Sequence, residues 1–262
     1  MAGVSGSGAA GIDAARVEEA GLNALQTQRQ LFYDGWLVRL SPGKAKRARS
    51  VNAHFGSTLP LAAKLEHCEA LYARHGLPVL FRITPFVQPR DLDGALAARG
   101  YEAFEETLVM AMPLAMAPVV PALAAGITLT DVDANGFVDV LGNLRRSPAQ
   151  QREAQRERLV NSLLQSRMIA MRAGADIVCA AQIAIDGDQA GIFDVVTAES
   201  ARGSGYATLA CAALLAWASQ QGARAAYLQV DANNAPAIAV YRKFGFATLY
   251  TYHYRGRPGD AR

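Results

Sequence analysis

Cysteine, histidine and tryptophan are scarce in this chain of 262 residues, which holds 3, 4 and 2 of them. Cys68, Cys179 and Cys211 stand far apart with no CxxC spacing, which excludes a disulfide framework or a zinc ribbon and reads as buried thiols. His54, His67, His75 and His253 are scattered without metal-ligand spacing, so no metal is expected. No segment reaches the roughly 18 uninterrupted apolar residues that a spanning helix needs. The N-terminal "MAGVSGSGAAG" has no basic segment ahead of an apolar core, so residues 1–11 read as a flexible lead-in and the expected location is cytoplasmic, away from membranes. An excess of charge is missing as well: 26 basic against 23 acidic residues leave a net +3, which argues against nucleic acid or an anionic membrane as partner.

What is present is apolar material, 51% of the chain, enough for two domains with real cores. "MAMPLAMAPVVPALAAG" carries Pro113, Pro118 and Pro121 and no charge, a composition that suits an extended linker. The chain accordingly divides into a domain over 12–113, a linker over 114–125, a second domain over 126–256 and a flexible end over 257–262. Periodicity predicts alternating helices and strands in both halves. "QLFYDGWLVRLS", "RARSVNAHF", "PVLFRITP" and "YEAFEETLVMAM" read as strands of the first half, and "AAYLQVD" and "FATLYTYHY" as the last strands of the second. The halves also echo each other. "VLFRITP" followed by "RDLDGALAARGY" parallels "YLQVDAN" followed by "APAIAVYRKFGF", with Gly100 and Gly245 placed to close each helix, as a duplicated unit would have them.

One loop stands out. "TAESARGSGYATLACAALLAWA", residues 197–218, leaves the strand "GIFDVVT", passes Arg202, Gly203 and Gly205, and enters a helix whose first amides have no partner within the helix. Glycines remove the Cβ atoms that keep an anion off the backbone, and the helix dipole favours negative charge there. By its own chemistry the loop is an anion cradle or an ordinary turn. A nucleotide-hydrolysing P-loop is excluded by the lack of GxxxxGK[ST], and a dinucleotide fingerprint by Thr208 where a third glycine would fall.

Together with "LQVDANNAPAIAVYRKFGF", the loop resembles the GNAT superfamily of acyl-CoA-dependent N-acyltransferases. Arg202-x-x-Gly205-x-Ala207 is similar to its pyrophosphate loop, and Asn234-x-x-Ala237-x-x-x-Tyr241-x-x-x-Gly245-Phe246 to its last motif helix. The resemblance implies an α/β (α+β) fold of two GNAT-like domains, each a mixed, centrally antiparallel sheet flanked by helices. It implies acetyl-CoA as co-substrate, with Arg202, Gly203, Ser204, Gly205, Tyr206 and Ala207 at the pyrophosphate. Val195, Val196 and Thr197 would pair with the pantetheine arm, and Asn234, Ala237 and Tyr241 would border it. The implied reaction is direct attack of a primary amine, of a small molecule or a peptide, on the thioester. A catalytically silent acyl-CoA-binding regulatory or interaction module is the alternative, and the chain is expected as a monomer or homodimer.

The same resemblance implies that Tyr241 is the general acid that protonates the departing thiolate; by itself it reads equally as an aromatic packed on the sheet. By the resemblance Asn234 would contact the pantetheine; by position it reads as an N-cap, and both can hold. Asp194 is the leading candidate base: alternation along "GIFDVVT" puts it on one face with Ile192 and Val196, a charge among apolar neighbours, although a salt-bridged strand acid has the same pattern. Asp186 and Asp188 read as turn residues, Glu199 as a solvated loop acid and Cys211 as a core thiol rather than a nucleophile. The first half carries no second cofactor loop. Its basic "GKAKRAR", with Lys44, Lys46, Arg47 and Arg49, reads as a solvated hairpin or as one wall of the acceptor site.

Overall fold

The computed structural model describes residues 11–114 and 118–260. Residues 1–10 of the expected lead-in, 115–117 of the linker and 261–262 of the C-terminal end lie outside the described residues. In chain order the elements are α1 (Ala14–Asn23), β1 (Gln30–Tyr33), β2 (Trp36–Arg39), β3 (Val51–Ala53), α2 (Leu61–Arg74), β4 (Phe81–Ile83), α3 (Leu92–Ala98) and β5 (Glu102–Pro113). After residues 118–124, which have no regular structure, come β6 (Ile127–Asp131), α4 (Ala134–Arg145), α5 (Ala149–Val160), β7 (Gln165–Ala173), β8 (Asp176–Asp186) and β9 (Gln189–Thr197). They are followed by α6 (Tyr206–Gln220), β10 (Ala225–Asp231), α7 (Ala235–Lys243) and β11 (Ala247–Gly256).

"QLFYDGWLVRLS" is a hairpin and not a single strand. Asp34 and Gly35 take φ of 42° and 84°, the paired positive values of a tight two-residue turn, and the Asp34 carboxylate accepts from the Thr58 and Leu59 amides. The two glycines of the echoed segments share one backbone conformation. Gly100 (φ 81°) and Gly245 (φ 96°) end α3 and α7 in the left-handed conformation that a side chain disfavours.

The eleven strands form one mixed sheet in the order β1-β2-β3-β4-β11-β5-β10-β9-β8-β7-β6. The antiparallel centres expected of each half are therefore parts of one continuous sheet. At its middle the halves trade strands: β11 runs antiparallel between β4 and β5, and β5 runs antiparallel between β11 and β10. Each half's last strand thus lies between the last two of the other. Strand alternation divides the core accordingly. Met110, Leu228 and Ile183 pack under Cys211, Leu214 and Leu215 of α6, while Val109, Ala111 and Tyr227 pack on the opposite face under Val17 and Ala20 of α1.

A buried ion pair fastens α1 to the exchanged region. Both terminal guanidinium nitrogens of Arg82 in β4 meet the Glu18 carboxylate of α1, Nη2 at 3.0 Å, and the Tyr250 hydroxyl of β11 donates to Glu18 at 2.6 Å. Burial opposes the charge on Glu18, but Arg82 and these hydrogen bonds hold its carboxyl below the usual range. Among the described residues no helix is long and apolar enough to cross a membrane.

Candidate active site

The site begins where two strands part. β9 and β10 run parallel and pair from Gln189↔Ala225 to Ile192↔Leu228, and there the ladder stops. Beyond it β10 stays with β5 through Asp231. β9 stays with β8, where Phe193 and Val196 oppose Gln182 and Ala180, so β9 holds one residue more than its partner over this stretch. That extra residue is a bulge at Asp194, whose φ of 54° is unusual for a residue with a side chain. The bulge bends β9 away from β10, and among the described residues no strand pairs with the β10-facing edge of 193–197. The half-buried amides and carbonyls along this edge are free to pair with water or with an extended ligand.

The bulge also overturns the simple alternation. Ile192 packs in the α6 core, whereas Asp194 turns to the opposite face with Val196, against α4 and α5. Its neighbours there are polar. Arg145 Nη1 donates to Asp194 at 2.8 Å, Gln182 Nε2 at 2.6 Å and Gln155 Nε2 at 3.1 Å, and Arg158 Nη2 lies 3.8 Å away. Burial alone would raise this carboxyl's pKa; Arg145 and Arg158, with the bonds from Arg145 and Gln182, reverse that and hold it below the ordinary aspartate value. Arg158 is itself drawn below the usual arginine value by burial, with Asp194 opposing and Arg47 and Arg145 adding to the effect.

A cavity of about 330 Å³ opens at this splay. Asp194, Val195, Asn234, Ala237 and Tyr241 line it, together with Arg145, Gln151, Gln155 and Arg158 from α4 and α5. A further wall comes from the first half of the chain, including Thr27, Gln28, Ser41, Lys44 and Arg47. "GKAKRAR" is not a solvated hairpin: it runs into a short 3-10 turn at Lys46–Ala48, and of its basic residues only Lys44 is exposed. Lys44 and Arg47 face the cavity, Arg47 donating to Gln229, while Lys46 pairs with Glu105.

Tyr241 packs edge-on to Phe246 with ring centroids 6.1 Å apart. Burial, with the Cys211 and Cys179 thiols nearby, pushes its phenol well above the usual tyrosine range, so it carries its proton at neutral pH. Tyr241 is thus packed on the sheet side and also lines the cavity. Asn234 caps α7, its side chain accepting from the Ala237 amide at 3.2 Å. Val196 and Thr197 continue β9 out of the cavity toward the loop Arg202–Ala207, which lies outside the cavity lining. In that loop Gly203 and Gly205 hold φ of 81° and 82°, and a Cβ on either would meet nothing within 4 Å, so the space above them is open. Gly205 caps α6 with no side-chain bond, and the amides of the first turn have no partner within the helix. Arg202 is exposed beside Glu199 at 3.8 Å. Cys211 is buried with its thiol pushed up to about 12, which suits a core residue and not a nucleophile.

Arg145, Arg158, Gln155 and Gln182 escaped the sequence reading. Gln151, Gln155 and Arg158 recur at helical spacing along α5, but such a stripe looks like a solvated face until a buried acid is known to lie opposite it.

A mixed sheet whose two parallel strands part beside a glycine-bounded helix start is the arrangement that the resemblance to the GNAT class implies. Residues 12–255 match the family described as "Probable histone acetyltransferase Rv0428c C-terminal", and the chain belongs to that family. It is similar to a Bacillus subtilis (strain 168) protein described as an uncharacterized N-acetyltransferase, YobR, at 26% identity over 232 residues, covering 84% of this chain and 89% of that protein. Among solved structures it shares its fold with a GCN5-related N-acetyltransferase from Kribbella flavida, with a TM-score of 0.71 at 18% identity over 95% of this chain and 97% of the other. A tandem GNAT protein from the clavulanic acid biosynthesis pathway aligns with a TM-score of 0.61 at 15% identity, over 79% and 74% of the two chains. The protein is thus an N-acetyltransferase in the general sense.

Proposed function

We propose that the protein transfers an acetyl group from acetyl-CoA to a primary amine by direct attack, with no acyl-enzyme. The observation that carries this reading is the splay of β9 from β10, which leaves backbone groups of 193–197 free beside a cavity edged by Tyr241. Acetyl-CoA supplies the thioester. The open glycine loop fits the pyrophosphate: amides of Gly203 to Ala207 would receive it, with Arg202 adding charge. Val195, Val196 and Thr197 would pair with the pantetheine arm as a further strand does, and Asn234 and Ala237 would border it. Holding thioester and amine in one cleft converts an encounter into an attack within a complex, which is where much of the acceleration arises.

As the amine nitrogen bonds to the carbonyl carbon and the C–S bond breaks, the leaving sulfur needs a proton. The Tyr241 hydroxyl, protonated at neutral pH, supplies it and regains one from solvent. Asp194 is ionised but a weak base, because Arg145 and Arg158 hold its pKa down. Its part in this mechanism is to order those two guanidiniums at the acceptor wall, and the ammonium proton passes to water in the cleft. Calorimetry with CoA and thiol release from acetyl-CoA over a panel of amines test the proposal. Binding with acceptor-dependent release is expected; absence of CoA binding overturns it.

A further inference from the structure

Building on the reading of this cavity as the acceptor side of the transfer site, we propose that the acceptor is a small amine that also carries an anionic group, carboxylate or phosphate, held between Arg47 and Arg158. Three guanidiniums converge on the inner cavity, those of Arg47, Arg145 and Arg158, and the one acid among them is Asp194. The Asp194 oxygens are already taken by Arg145, Gln182 and Gln155, with Arg158 at 3.8 Å. Arg47 faces the cavity from the other half of the chain, donates to the neutral Gln229 and, among the described residues, forms no ion pair. Gathering like charges in a largely buried place is unfavourable unless something of opposite sign is to be bound there. At the rim, exposed Lys44 stands with exposed Glu157 and Asp231, so the surplus of positive charge lies inside.

The cation cluster is separate from the cofactor's phosphate cradle, since none of residues 202–207 lines this cavity. Planar guanidiniums suit carboxylate and phosphate oxygens through paired hydrogen bonds. The same charges disfavour a lysine- and arginine-rich peptide such as a histone tail, although the family's description names histone acetylation.

The test measures binding by calorimetry to the protein saturated with CoA, using matched probes: 4-aminobutyrate against butylamine, aminoethyl phosphate against ethanolamine, and a lysine-rich peptide. At least one anionic probe is expected to bind tenfold or more tighter than its neutral match, and which one does so separates carboxylate from phosphate. Arg47→Gln should erase that preference while leaving CoA affinity unchanged, and Arg47→Lys should restore part of it. Arg158→Gln should act in the same direction, and Arg47 carries the test if that buried position fails to fold. Equal binding within both pairs, stronger binding of the lysine-rich peptide, or no binding of either anionic probe overturns the proposal. Loss of CoA binding itself would instead strike the acetyl-transfer reading.

Discussion

At the scale of single residues, the proposed mechanism is tested at two side chains of one cleft, Tyr241 and Asp194. Tyr241→Phe keeps the ring against Phe246 and removes the proton, so turnover should fall by about 100-fold or more while the KM for acetyl-CoA stays within a factor of two; steady-state kinetics read both. Asp194→Asn should mainly cost stability, about 3 kcal/mol, because Arg145 and Arg158 lose their counter-charge. The pH dependence follows from the sign of the shift. Asp194 and Glu18 have folded pKa values below their unfolded ones, so their contributions are complete above the unfolded carboxylate range near pH 4 and vanish as pH falls through the folded values. Thermal melts from pH 7 to pH 3 should therefore show a shallower loss in Asp194→Asn than in the parent. The identity of Asp194 as a charged residue on a central strand was legible in the sequence, since composition and position suffice for that. Its direction was not, because a bulge shifts alternation by one residue and leaves no mark in the pattern of side chains.

At the scale of elements, the loop into α6 is where the proposed cofactor cradle can be tested through its backbone geometry. Gly205→Ala places a side chain at φ 82°, a strain of about 1–2 kcal/mol, in space that is otherwise open. Gly222→Ala imposes the same kind of strain at φ 92°, just beyond the other end of α6. The two variants should lose similar Tm, but only Gly205→Ala should raise the KM for acetyl-CoA, by tenfold or more; equal KM values would detach the loop from the cofactor. Most helices and strands were readable from periodicity because their faces are cleanly divided, as Met110 and Val109 are on β5. The hairpin at Asp34–Gly35 was passed over because apolar residues continue on both sides of a turn that only its DG dipeptide betrays.

At the scale of the whole molecule, the halves are bound by exchange and not only by contact. Neither β5 nor β11 has a neighbour from its own half on both sides. Heat should therefore unfold the chain in a single transition by near- and far-ultraviolet circular dichroism alike, and residues 11–113 and 118–260 made separately should fail to give folded protein. Glu18→Gln should lower the melt of the entire chain, by about 3–5 kcal/mol, since Arg82 is left charged and buried at the exchanged region. Two well-resolved melting steps would contradict that unity. The duplicated phrase was visible in the sequence through Gly100 and Gly245, but strand exchange was not, because pairing partners on the order of 100 residues apart leave no local trace. The same separation matters while the chain is being made. β5 leaves the ribosome before either of its neighbours has been translated, and at about 5–20 residues per second it waits on the order of ten seconds with both edges bare. The nascent chain must keep this apolar strand from pairing with other chains until its last residues emerge, which makes the rate of synthesis and the help of chaperones part of how this enzyme acquires its fold.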